Sequence, residues 1–191
     1  GFAKLLQNDD LTPEQRQTYT NTVVQQSERL AAMSTHILEL AQYENTEIVS
    51  GKTLYSLDEQ LRRCVRQQER DWLQKGLTVE GDLDQVDYYG NEELVEHIWS
   101  NLLSNAIRFT PAGGQITVVL RQSEGEITVS VSDTGIGMDE ETQRHIFEKF
   151  YRAAPYPDSR GNGLGLSIVR RVVALCGGRV AVFSRPGNGS T

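Results

Sequence analysis

No stretch of these 191 residues approaches the roughly 18 consecutive apolar residues that a membrane-spanning helix needs. Basic charge is also short. With 19 Lys and Arg against 26 Asp and Glu the net charge is −7, the wrong sign for a nucleic-acid surface, which wants a basic patch. Cysteine is limited to Cys64 and Cys176, too far apart for a metal or Cys-x-x-Cys spacing, so both read as reduced thiols within helical patterns. A secretory leader is missing too, but Gly1–Gln7, with Phe2, Leu5 and Leu6, reads as the last turns of a helix begun upstream, so the chain is expected to be a fragment. What remains is 38% apolar and 24% charged, an ordinary globular balance, in a length that fits one full domain and a smaller element.

Two glycine clusters organise the second half: Asp133-Thr-Gly135-Ile-Gly137 and Gly161-Asn-Gly163-Leu164-Gly165-Leu166. The second has no P-loop lysine, and Leu166 stands where a Rossmann motif would have its third glycine, so neither of those phosphate loops is present. Taken singly, each cluster reads more readily as a plain turn than as a ligand loop. Their surroundings sharpen the reading. Glu126–Ser132 alternates polar and β-branched residues as a half-buried strand does. A carboxylate and two glycines at its end let the backbone approach a planar ligand, with Asp133 able to accept from an exocyclic amine such as adenine offers. After Gly163, Leu164, Leu166, Ile168, Val169, Val172 and Val173 follow a helical period. The glycines thus precede a helix start, where free N–H groups suit phosphate oxygens.

The first half is helical. Thr12-Pro13-Glu14-Gln15 forms a capping box with proline at the first helical position. In the helix that follows, Val23, Gln26, Leu30, Met33, Ile37 and Leu40 recur in steps of three and four, a heptad seam that wants another helix. With the truncated first helix this predicts an antiparallel hairpin over residues 1–45 that dimerises as a four-helix bundle; the plainer alternative is a helix packed on its own domain. Residues 46–56, polar with Gly51, read as a linker, and 57–191 as the second domain. Within it the pattern predicts a helix over 57–74 with Leu57, Leu61, Cys64, Val65 and Leu73 on one side, and short strands at Leu77–Val79 and Val86–Tyr89 around a Gly81-Asp82 turn. It further predicts a helix from Asn91 to Pro111, a hairpin of Gln115–Gln122 with Glu126–Ser132, and a final strand Arg179–Ser184. Asn101 and Asn105 share one face of the Asn91 helix, with Arg108 a turn further on. They read either as satisfied core amides or as oxygen ligands for a hard cation such as Mg²⁺, beside a guanidinium for phosphates.

Together these stretches resemble the motifs of sensor histidine kinases. Asn101-Leu-Leu-Ser-Asn105-Ala-Ile-Arg108-Phe109 resembles the N box, Asp133-Thr-Gly135-Ile-Gly137 the first glycine box, and Phe147-Glu-Lys-Phe150-Tyr-Arg152 the F box. Gly161-Asn-Gly163-Leu-Gly165-Leu166 is similar to the second glycine box and Gly187-Asn-Gly189-Ser-Thr191 to the start of the last. The resemblance covers residues 90–191 in the family's order, and the 1–45 hairpin is similar to the family's dimerisation and phosphotransfer bundle. It implies an α+β protein: a two-layer ATP-binding domain, a mixed sheet with helices on one face, after the helical hairpin. It implies ATP and Mg²⁺, with Asp133 on the adenine amine, Asn105 and Asn101 on the metal, and Arg108 and Arg152 on phosphates. Gly135, Gly137, Gly161, Gly163 and Gly165 would shape the walls, with Phe109, Met138, Phe150, Leu164, Leu166 and Thr191 completing the site and Met138–Asn162 as a lid. It also implies a homodimer, a response-regulator partner and a cytoplasmic domain of a bacterial membrane-anchored sensor, the fragment itself touching neither membrane nor nucleic acid.

Two departures shape the functional reading. The N box ends in Arg108-Phe109 where Lys-Tyr is usual, keeping a phosphate contact and losing a phenol. None of the three histidines, His36, His97 and His145, sits in the family's phosphoacceptor setting on the first bundle helix, so the acceptor is expected upstream of Gly1 and no catalytic side chain is assigned within the fragment. The reading is therefore a kinase core that passes the γ-phosphoryl of Mg·ATP to that histidine and on to a regulator aspartate. The alternatives are a gyrase- or Hsp90-like ATPase, or a degenerate kinase serving as a dimeric scaffold. The ATPase alternative needs a water-activating glutamate where Asn101 stands; Glu96 lies nine residues before Asn105 and is expected to face elsewhere.

Overall fold

The computed structural model describes residues 1–8, 10–45, 48–153 and 163–191. Helix α1 (Phe2–Leu5) lies against α2 (Pro13–Glu44), where Phe2 and Tyr19 bring their rings within 5.7 Å. The capping box forms: Thr12 Oγ1 accepts from Gln15 N, and Gln15 Oε1 from Thr12 N. At 32 residues α2 is about 48 Å long. Most of its length is exposed, with Leu30 68% and Ile37 42% accessible, and only its last turns enter the core, through Leu40 and Tyr43. There Arg171 Nε donates to the Tyr43 carbonyl at 2.9 Å.

The rest of the chain is β1 (Thr53–Ser56), α3 (Leu57–Gln67), α4 (Glu69–Gln74), β2 (Thr78–Leu83), β3 (Asp87–Gly90) and α5 (Glu92–Phe109). It continues with β4 (Gln115–Ser123), β5 (Glu126–Asp133), α6 (Glu140–His145) and α7 (Gly165–Leu175). One sheet has the order β2-β4-β5, with β2 parallel and β5 antiparallel to β4; β1 and β3 make a separate antiparallel ribbon. Ile116, Val118 and Leu120 alternate inward from β4, all but fully buried. Val118 and Leu120 share a core with Leu164, Ile168, Val169 and Val172, and Ile116 packs with Leu77, Ala106 and Ile107, each such large side chain contributing about 1.5–3 kcal/mol. The fold is thus α+β, a mixed sheet under helices preceded by a helical hairpin, as expected. A buried amide sits in the helical layer, where Gln60 donates to the Glu92 carbonyl at 2.7 Å and accepts from Trp99 Nε1 at 2.9 Å.

The local predictions fail where partners are distant. The 57–74 helix breaks at Gln68 (φ −102°, ψ 11°). Leu73 is therefore turned out to solvent, and Trp72 packs inward in its place, with Nε1 on the Val65 carbonyl. Gly81-Asp82 is no turn but the middle of β2, extended because β4 pairs with it in register Gly81↔Val118. Thr53–Ser56, read as linker, is a strand because β3 pairs with it. Arg179–Ser184 forms no strand. Ser190 bridges both Asp133 and Ser184, so the chain at Ser190 lies between β5 and that segment, and only Phe183 and Ser184 find partners, at Thr191 and Ser190. The β4–β5 hairpin closes as expected, through Glu124 and Gly125 at φ 51° and 82°.

Candidate functional site

Helix α5 forms because Asn91 caps it, its Oδ1 accepting from Leu94 N at 2.8 Å, and because Leu94, Val95, Ile98, Leu103, Ala106 and Ile107 repeat on its core face. It therefore turns Asn101, Asn105 and Arg108 toward a cleft of about 970 Å³. Also lining the cleft are Phe109, Asp133, Gly137, Met138, Arg152, Gly163, Gly165, Leu166 and Thr191. Three expected residues are not on its surface. Leu164 is fully buried in the core, Phe150 is largely exposed, and Gly135 lies beneath Asp133, where its N–H donates to Asp133 Oδ1 at 2.8 Å. Gly161 and residues 154–162 of the expected lid lie outside the described residues. At the near end of the expected lid, α6 starts under an Asp139 cap, with Oδ1 accepting from Thr142 N at 2.7 Å.

The asparagines divide. Asn101 is buried, its Nδ2 donating to the His97 carbonyl at 2.7 Å, and a Cβ on Gly165 would lie 2.5 Å from its Oδ1. Its carbonyl oxygen thus packs against the start of α7, and only glycine permits the approach. Asn105 is half-buried, and its amide bonds to no other group among the described residues. Those residues also hold no cluster of three or more His, Cys, Asp or Glu suited to a metal. The Asn105 amide oxygen, which lines the cleft, is a donor of the kind that hard cations such as Mg²⁺ take. Arg108 lies over the Phe109 ring, 4.8 Å from its centroid. Helix α7 begins at Gly165, behind Leu164 and with no side-chain cap, and a helix N-terminus of this kind suits phosphate oxygens.

Burial pushes the Asp133 carboxyl up, and the N–H groups of Gly135 and Ser190 pull it partly back. The loop after it is shaped by backbone rather than side chains. Gly137 has φ +65°, and a Cβ there would fall 1.8 Å from the Arg185 carbonyl oxygen. Phe150, at φ 63°, donates its N–H to the Gly163 carbonyl at 2.8 Å, joining the F box to the second glycine cluster.

Several contributors escaped the sequence reading. Ser184 Oγ accepts from Met138 N at 2.8 Å and meets Ser190 Oγ at 2.9 Å. Gln143 Nε2 donates to the carbonyls of Met138 and Ser184 at 3.0 and 3.1 Å. Lys75 Nζ reaches the end of α5 from outside every motif. Glu96 faces away as expected, accepting from Gln67 on α3.

The family described as "Histidine kinase-, DNA gyrase B-, and HSP90-like ATPase" matches residues 90–191, more than half of the chain. The chain belongs to this family. Among relatives, the heme sensor protein HssS of Staphylococcus saprophyticus is 30% identical over 180 residues, which are 94% of this chain and 39% of that protein. The chain thus spans about two-fifths of that relative's length. Among solved structures, full-length ShkA in complex with AMPPNP superposes with a TM-score of 0.79 at 27% identity, over 98% of this chain and 40% of that one. The mycobacterial sensor histidine kinase MprB gives 0.63 at 26% identity, over 73% of this chain and 92% of that one. No helix among the described residues of this ATPase-family chain is long and apolar enough to cross a membrane.

Proposed function

We propose that this chain is the catalytic core of a sensor histidine kinase. It binds Mg·ATP in the α5–α7 cleft and presents the γ-phosphoryl to a phosphoacceptor histidine outside these residues, from which a response-regulator aspartate receives it. The observation that carries this reading is convergence. Asn105, Asp133, Gly137, Gly165 and Thr191, drawn from four separate stretches, line one cleft, and Asp133 and the α7 N-terminus suit the two ends of a nucleotide. The residues fit the ligand, which would bring its own phosphates and metal charge. The protein's share is positioning: Asp133 accepts from the base, Asn105 offers an amide oxygen to the cation, and Arg108 and Arg152 bring fixed positive charge. AMPPNP in the related ShkA agrees with this.

The ATPase alternative lacks its base. The Asn101 amide cannot accept a proton as a general base must, and Glu96 is turned to α3. The exposed seam of α2 supports homodimerisation through residues 1–45, and placement as the cytoplasmic domain of a larger membrane-anchored sensor is part of the same proposal. The test is to restore the upstream histidine segment and incubate with γ-labelled ATP. The reading expects acid-labile phosphate on the protein. Steady release of free phosphate with no labelled protein would favour the ATPase.

A further inference from the structure

Lys75 follows α4 and lines the cleft from outside every motif, and its side chain ends on the helix that carries the N box. Nζ donates to the carbonyls of Ile107, Arg108 and Thr110 at 2.7, 2.8 and 2.8 Å. These carbonyls sit at the end of α5, where Pro111 removes the next N–H and the helix dipole is negative. An ammonium has three protons, and each finds one acceptor. The following turn closes over it, with Gly113 N on the Lys75 carbonyl at 3.3 Å. The carbonyl between them, that of Phe109, accepts instead from Ile136 N in the loop after Asp133. One helix end is therefore gripped by Lys75 on one side and by the base-binding loop on the other. Arg108 is the residue whose main chain lies between, and its guanidinium stacks over Phe109.

We propose that Lys75 is a positioning residue for phosphate binding: it fixes the main chain of Arg108, so that the guanidinium is presented to the nucleotide's phosphates in one orientation. This rests on the nucleotide reading above. With its donors spent on carbonyls, Lys75 acts through Arg108 and not on the phosphates themselves. A cap that merely stabilised α5 would weaken binding whether or not Arg108 were present; a positioning residue loses its effect once Arg108 is gone.

The experiment is a double-mutant cycle on the 191-residue chain, with Mg·ATP affinity read by calorimetry for wild type, Lys75→Met, Arg108→Ala and the pair. Lys75→Met alone is expected to weaken binding roughly tenfold, the scale of a charged hydrogen bond. In the Arg108→Ala background it should change affinity less than about twofold, and Lys75→Arg, which keeps charge and donors, should restore most of the loss. An equal factor in both backgrounds, or no weakening at all, would overturn the proposal. If Lys75→Met unfolds below the assay temperature, Lys75→Gln enters the same cycle under the same criteria. A wild type that binds no Mg·ATP would overturn the nucleotide reading itself, an outcome distinct from an additive cycle.

Discussion

Asp133 works against the fold and for the site. Burial raises its pKa in the folded chain above the unfolded value, so its contribution to stability is present at low pH and is lost as pH rises through the folded value. An asparagine would still accept from Gly135 N–H but carries no charge to desolvate, so Asp133→Asn should melt no lower than wild type at neutral pH. Gly137 is the opposite case, a residue the fold cannot exchange. Alanine would need φ +65° and would place its Cβ 1.8 Å from a backbone oxygen that no rotamer can move. Gly137→Ala should cost about 2–4 kcal/mol, read from the urea midpoint. A cost below about 0.5 kcal/mol would mean that the loop readily repacks, contrary to this account.

At the scale of elements, α2 carries a seam that its own domain does not cover. Leu30 and Ile37 stay exposed while Leu40 enters the core, as a heptad helix does when it serves a partner over most of its length and its own domain at one end. Sedimentation of the chain should show a dimer, and Leu30→Glu with Ile37→Glu a monomer whose melting is nearly unchanged. A double variant that remains dimeric would move the interface elsewhere. The elements that were legible in the sequence have local signals: the Thr12–Gln15 box, the Asn91 cap with its apolar period, the Glu124-Gly125 hairpin. Those that were not depend on distant partners. Gly81-Asp82 has the composition of a turn and becomes strand only because β4 lies beside it. Lys75 and its carbonyls are at least 32 residues apart, and Met138 and Ser184 are 46 apart, so no local period marks either contact. The glycine boxes were readable because their close approaches demand a residue type, whatever the partner.

Over the whole molecule, the cleft is where stretches from α5 to the C-terminal residue meet, and the polar links among them run through backbone: Asp133 to Ser190, Ile136 to Phe109 and Gly187, Phe150 to Gly163. Side-chain links add to these, from Ser184 and Gln143 to Met138 and from Lys75 to the end of α5. Among the polar side chains that line the cleft, Asn105, Asp133 and Arg108 should govern the ligand. The measurement that bears most directly on this is calorimetry of Mg·ATP with wild type and Asp133→Asn, both shown to be folded by melting. The account predicts Mg²⁺-dependent binding by the wild type and none by Asp133→Asn, despite its equal or higher melting temperature. Equal binding by the two proteins would contradict the role given to Asp133. No binding by the folded wild type even at millimolar nucleotide would overturn the nucleotide reading and leave the scaffold reading in its place.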